Sequence, residues 1–271
     1  MQGMSPADTY THGHHDSVLR SHRWRTAENS AGYLLPQLRS GQSLLDIGCG
    51  PGTITIDLAQ LVAPGQTVGV DRAGQPLISA KAGAQEQGVG NVAFTVGDVY
   101  QLDFPSGSFD VVHAHQLLQH LTDPVAALRE MRRVCRPGGL VAARDADYAA
   151  MTWHPADPRL TRWLELYHQV AHNNGAEPDA GRRLLAWANA AGYPDVTATA
   201  SVWVYATGEE RAWWGNTWAE RVVKSAFAEQ ALAAGFADRA ELAELAAGWR
   251  AWAEQPDGWF AVLNAEILCR I

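Results

Sequence analysis

The run Leu45-Asp46-Ile47-Gly48-Cys49-Gly50-Pro51-Gly52-Thr53 is the first place where residue type and spacing point to chemistry. Glycines at alternate positions let a backbone approach a ligand without a Cβ clash. An apolar run before them (Ser43 to Ile47) reads as a buried strand, and Thr53 to Val62 reads as a helix whose free N–H groups aim at that ligand. The arrangement suits a nucleotide-like molecule. A dinucleotide fingerprint needs G-x-G-x-x-G, but residue 53 is Thr, so that template is missed by one position. Asp71 closes a second apolar run, Thr67 to Asp71, where an acid can accept hydrogen bonds from both hydroxyls of a ribose. His115, His120, Asp145 and Tyr148 follow later strands at the edge where ligands bind in open α/β sheets. His115 and Tyr148 are the candidate catalytic groups, His115 as a general base. Pocket lining is the other reading of His115, and helix packing that of His120.

These residues need a scaffold. Strands are expected at 43–47, 67–71, 92–96, 109–114 and 140–144, and helices at 23–38, 53–62, 75–87 and 124–134. Arg136-Pro137-Gly138-Gly139 reads as a turn. Strand and helix alternate through residue 145, which predicts a parallel sheet with helices on both faces. Beyond 150 the pattern changes to helices at 158–173, 179–191, 209–235 and 238–253, with strands at 196–205 and 259–271. Of 11 Trp, all but Trp24 lie in this half, so the two halves are built differently.

Asp46-Ile47-Gly48-Cys49-Gly50-Pro51-Gly52 fits D-x-G-x-G-x-G at every fixed position. With it the chain resembles the class I S-adenosylmethionine (SAM) dependent methyltransferases. Asp71, Gly97-Asp98-Val99, Phe109-Asp110-Val111-Val112 and Arg136-Pro137-Gly138-Gly139 follow in that family's order. His115-Gln116-Leu117-Leu118-Gln119-His120-Leu121 is similar to the post-strand segment of UbiE-type quinone and small-molecule methyltransferases. The resemblance is strong over 43–147 and extends weakly to 192–207 and 259–271. It implies a Rossmann-like, mostly parallel sheet of seven strands with helices on both faces, and a helical insertion between the sixth and seventh strands. The implied division is a cofactor-covering segment and helix (1–42), a SAM-binding core (43–207), a helical lid (208–257) and a last core strand (258–271).

SAM is the implied cofactor. Asp71 would take its ribose, Asp98 its adenine amino group, and Val99 would pack on the ring. Arg23 or Arg25 would meet the methionine carboxylate if Tyr10 to Arg25 folds over the ligand. Gly48, Cys49, Gly50, Thr53, Arg72, Gly97, His115 and His120 complete the expected lining. Asp46 either holds the motif or reaches the ligand's amino group. Trp213, Trp214 and Trp218 wall an acceptor pocket or a homodimer interface. The implied activity is methyl transfer to O, C or N of a quinone-like, phenolic or other small molecule. A non-methylating rearrangement and a protein or RNA acceptor stand as alternatives, as does a non-catalytic binding module.

Composition narrows the choice. The chain is 47% apolar and 18% charged, which suits a folded globular domain. A net charge of -8 and the lack of any Lys/Arg run disfavour nucleic acid. Three cysteines with no CxxC pair fit a reducing, cytoplasmic setting. Cys49 is expected to be a small packed residue and not a nucleophile. His12, His14, His15 and His22 lack an accompanying Cys or carboxylate set, so no metal is expected. The polar N-terminus has no apolar h-region, and no run of about 18 apolar residues appears, so neither signal peptide nor membrane span is expected.

Overall fold

The computed structural model describes residues 8–13 and 15–271, with backbone only at 16, 17, 19 and 20. Residues 1–7 of the polar N-terminus and His14 lie outside the described residues. Helix α1 (Asp16–Arg23) and the short α2 (Ala27–Ala31) precede strand β1 (Leu44–Ile47) and helix α3 (Thr53–Val62). Strand β2 (Thr67–Asp71), helix α4 (Gly74–Glu86), and strands β3 (Val92–Val96) and β4 (Phe109–His115) follow. Then come α5 (Pro124–Val134), β5 (Cys135–Ala146), β6 (Thr152–His154), α6 (Pro158–Asn173) and α7 (Leu184–Ala190). Strand β7 (Asp195–Tyr205), helices α8 (Gly208–Lys224), α9 (Ala226–Ala233) and α10 (Arg239–Ala253), and strand β8 (Trp259–Arg270) end the chain.

Among the described residues the sheet has eight strands, not seven, in the order β3-β2-β1-β4-β5-β8-β6, with β7 also paired to β8. The additional strand is β6, three residues too short to show a period of two. All pairings from β3 to β5 are parallel, and β8 runs antiparallel to β5, β6 and β7. Helices α8 to α10 form the expected insertion between the last two long strands. The turn tetrapeptide lies inside β5, where Gly138 takes φ 75° and the register shifts opposite Phe109 and Val111. Asp110 accepts from the Ser43 amide and hydroxyl at 2.7 Å each and pairs with Arg136.

Two long helices are broken. The helix expected over 23–38 splits because Thr26 caps a new start: its hydroxyl accepts from Asn29 N, and Asn29 Oδ1 accepts from Thr26 N. Pro36 then restricts the following turn to a 3-10 segment. The helix expected over 209–235 breaks at Ser225, whose extended backbone ends α8 and whose hydroxyl donates to the Arg221 carbonyl at 2.7 Å. The helix expected over 179–191 begins as a 3-10 turn at Gly181–Arg183.

The Trp-rich helices form a core of their own. Trp163, Trp218, Trp249, Trp252 and Phe260 are fully buried together. Trp163 meets Trp249 edge-on at 4.8 Å, a geometry aromatic quadrupoles favour. This second core carries the wall that faces the ligand edge of the sheet.

Candidate active site

A cavity of about 400 Å³ opens at the carboxyl ends of β1, β2 and β4. Its floor is the glycine turn. Gly48, Gly50 and Gly52 take φ of 73°, 53° and 78°, a region open to glycine and strained for other residues. A Cβ on Gly52 would stand 2.7 Å from the Ala80 Cβ and 3.0 Å from the Phe94 ring. Asp46 is buried beneath this turn. One oxygen lies 2.7 Å from His113 Nδ1 and the other accepts from the Thr55 hydroxyl at 2.5 Å. Of its two expected roles, holding the motif is therefore the one these bonds perform.

Asp71 accepts from Gly50 N and from Ala73 N, both at 2.9 Å. Each oxygen keeps lone-pair capacity for a further donor. Asp98 accepts from Tyr100 N at 2.9 Å and is exposed, while Val99 beside it is buried. Gly97 has Val70 at 2.8 Å from an added Cβ. Cys49 packs in the turn, and burial pushes its thiol far above the ordinary range, so it is no nucleophile at neutral pH.

The N-terminal segment crosses this cavity. Asp8 accepts from Thr122 N and Oγ1 at 2.8 Å each and from the Tyr100 hydroxyl at 3.1 Å. Tyr10, His12, His22 and Trp24 line the cavity behind it, as does Arg25, whose guanidinium sits 5.7 Å over the Trp203 ring. Thr53 Oγ1 donates to the His22 carbonyl at 3.3 Å, and an Arg72 nitrogen lies 3.5 Å from the Asp8 carbonyl oxygen. Arg23, the alternative to Arg25, is exposed and outside the lining. Three hydrogen bonds on one carboxylate make Asp8 the clasp of this cover. Asp8→Ala should weaken S-adenosylhomocysteine binding about tenfold, at about 1.4 kcal/mol, by calorimetry. Unchanged affinity would show that the cover does not depend on Asp8.

The remaining wall is aromatic. Trp203 and Tyr205 from β7 and Trp213, Trp214 and Trp218 from α8 line it, with Trp214 stacked on Tyr205 at 4.3 Å. Arg221 lies 4.5 Å over Trp218 and donates to Ser21 Oγ at 2.9 Å. His115 is 5.7 Å from Trp203, and among the described residues neither of its ring nitrogens has a hydrogen-bond partner. Burial, reinforced by Arg25, holds His115 well below the usual imidazole range and His120 down to about 3. Both are neutral at pH 7. Tyr148 stacks on Tyr167 at 4.0 Å, and its hydroxyl lies 3.3 Å from His12 Nε2. Burial raises its pKa.

The structure thus brings every expected cofactor residue, together with Tyr148 and all three expected Trp, onto one cavity. Asp145 is the exception. It is fully buried behind the lining, accepts from Gln119 N at 3.1 Å, and has an unpartnered Oδ2. Burial pushes its pKa up to about 7, well above an unfolded carboxyl near 3.9. The raised folded pKa favours the protonated form, so this contribution is fully present below about pH 4 and is lost as pH rises to about 7. Asp145→Asn should therefore unfold at a higher temperature than the parent at pH 8 and at the same temperature at pH 4. An equal shift at both pH values would remove the titration from the explanation.

His12, Trp203 and Arg221 are site residues that sequence reasoning did not place. His12 offered a signal only as part of a His-rich stretch, and Arg221 sits in the last turn of α8, away from any motif. Among the described residues no group of three His, Cys, Asp or Glu side chains is arranged to hold a metal, and no helix is long and apolar enough to cross a membrane.

Comparison with known proteins follows the same geometry. A profile described as a methyltransferase domain matches residues 38–200. An uncharacterized methyltransferase of Schizosaccharomyces pombe is 32% identical over 267 residues, spanning 96% of this chain and 95% of that protein. A demethylmenaquinone methyltransferase of Lactococcus lactis is 37% identical over 129 residues, 47% of this chain and 49% of that protein. Phosphoethanolamine N-methyltransferase 2 of Haemonchus contortus was solved with phosphomonomethylethanolamine and S-adenosylhomocysteine. It shares the fold at TM-score 0.54 and 18% identity, over 86% of this chain and 50% of that one. A profile match across more than half of the chain, with a relative similar along nearly its full length, makes this chain a member of the class I SAM-dependent methyltransferases, with SAM as its cofactor.

Proposed function

We propose that this enzyme methylates an O, C or N atom of a small, planar, phenolic or quinone-like acceptor. The observation that carries the reading is the two-part lining of one cavity. One part offers acids and a glycine turn, and the other is walled by Trp24, Trp203, Tyr205, Trp213, Trp214 and Trp218. Flat rings and neutral histidines suit a flat apolar molecule with a few polar atoms. Similarity to a demethylmenaquinone methyltransferase across 47% of the chain supports the same class.

The cradle fits SAM by its own chemistry. Asp71 retains two acceptor sites for ribose hydroxyls, Asp98 retains acceptor capacity toward an adenine amino group, and Val99 gives an apolar face. Arg25 supplies a cation for a carboxylate. When bound, the cofactor supplies an electrophilic sulfonium methyl. The chain's own residues position the acceptor, exclude water and receive a proton where the acceptor has one to lose. Orienting the two reactants is worth up to about 7–11 kcal/mol. His115, with unpartnered nitrogens in the lining, is the base in this reading for an acceptor that is already acidic, because burial holds its basicity down. Helices α8 to α10 serve as the acceptor lid.

The test is transfer of label from methyl-labelled SAM to a panel of phenols, quinols and polyketide-like enols. Labelled small-molecule product is expected, and Trp213→Ala should raise the acceptor KM while leaving SAM affinity unchanged. Label appearing only in added protein or RNA would overturn the reading.

A further inference from the structure

Resting on that reading, we infer that His120 is built to donate a hydrogen bond from Nδ1–H to a ligand oxygen, because a relay of three amides holds its Nε2 as an acceptor. The relay starts at a main-chain carbonyl. Asn264 Nδ2 lies 3.1 Å from the Val262 oxygen, which can only accept. That fixes which end of the Asn264 amide is nitrogen, and Oδ1 then accepts from Gln116 Nε2 at 2.7 Å. Gln116 Oε1 in turn accepts from Gln119 Nε2 at 2.6 Å. The second hydrogen of Gln119 Nε2 meets His120 Nε2 at 3.1 Å.

Reversing any one amide would set oxygen against oxygen at the next link, so the polarity of the whole chain follows from one carbonyl. A neutral imidazole has one proton. With Nε2 accepting, that proton is on Nδ1. The ring stays neutral through the physiological range because burial, aided by Arg25, holds its pKa down to about 3.

The backbone is arranged for this relay. Among the described residues Gln116 is the non-glycine residue with positive φ, at 54°, a conformation that costs energy and persists only when its surroundings enforce it. Its amide donates to the Arg144 carbonyl at 2.7 Å, and that bend sets its side chain between Asn264 and Gln119. Asn264 is fully buried and Gln119 nearly so, while Gln116 and His120 are half-buried at the cavity wall. His120 lines the cavity, edge-on to Tyr10 at 4.8 Å. With Nε2 engaged, Nδ1–H is the polar atom left for a ligand, which makes His120 an orienting donor and not the proton acceptor of the reaction. Its partner is an oxygen lone pair, supplied either by the cofactor's carboxylate or by a carbonyl, enolate or phenolate of the acceptor.

Long-range ¹H–¹⁵N spectra of histidine-labelled protein without added ligand test this, with His120 assigned by loss of its signals in His120→Phe. Wild type should show a protonated Nδ1 and a bare Nε2. Gln119→Leu, similar in volume, should move the proton to Nε2. Asn264→Asp, which still accepts from Gln116, should leave it on Nδ1. A protonated Nε2 in wild type, or no change in Gln119→Leu, overturns the inference. Calorimetry on His120→Phe separates the two oxygen sources. A loss of S-adenosylhomocysteine affinity of about tenfold or more assigns the cofactor carboxylate, and unchanged affinity assigns the acceptor. No turnover is needed, so failure to methylate phenols would leave the tautomer result standing.

Discussion

Asp71→Ala should lower S-adenosylhomocysteine affinity by more than a hundredfold, about 3 kcal/mol, while the protein stays folded. Each hydrogen bond to a charged acceptor contributes about 1.5–3 kcal/mol, and the two ribose hydroxyls offer two of them. The carboxylate also fixes the turn, since one oxygen takes Gly50 N and the other Ala73 N. Asp71→Asn should be nearly as harmful, because its NH₂ would face one of those two N–H donors. Calorimetric titration of wild type and both variants measures this. A loss under threefold would mean that the ribose is held elsewhere.

The second large effect is on stability. Arg144 is 1% exposed, and its guanidinium lies 3.3 Å from Glu266 and 4.4 Å over the Trp203 ring. Ser201 and Thr199 donate to the Glu266 oxygens at 2.5 and 2.8 Å. Burial lowers the arginine's pKa to about 10, against the upward pull of Glu266. Glu266→Ala leaves a buried cation without its counter-charge, which should cost about 3–5 kcal/mol in urea unfolding. Replacing both, Arg144→Met with Glu266→Leu, should recover most of that. Because Trp203 lines the cavity, Glu266→Ala should also raise the acceptor KM. A cost under about 1 kcal/mol would show that water reaches the pair.

The half of the chain that carries the cofactor motif was legible because its information is local. Glycine spacing, an acid at a strand end and strict alternation of elements each occupy a short window, and the strands at 67–71 and 92–96 and the helices at 53–62 and 124–134 match residue for residue. Helix α1 was not legible. Among its described side chains Val18 and Ser21 are buried, and contact with α8 holds this short, mostly polar helix. Thr26 and Ser225 break helices through side-chain bonds that hydrophobic periodicity does not register. The site follows the same division. Asp71 and the glycines announce themselves, whereas His12, Trp203 and Arg221 come from three separate elements with no shared motif. Asp145 shared its neighbours' place at the strand end, but the alternation of strand faces turned it inward.

A crystal structure of the enzyme with S-adenosylhomocysteine tests the site most directly. The ribose hydroxyls should lie on Asp71, the adenine beside Asp98 and Val99, and the carboxylate near Arg25, with the aromatic chamber left open beside the sulfur. A ligand bound away from Asp71, or with its sulfur turned from the chamber walled by Trp213 and Trp218, would contradict both the cofactor placement and the acceptor class.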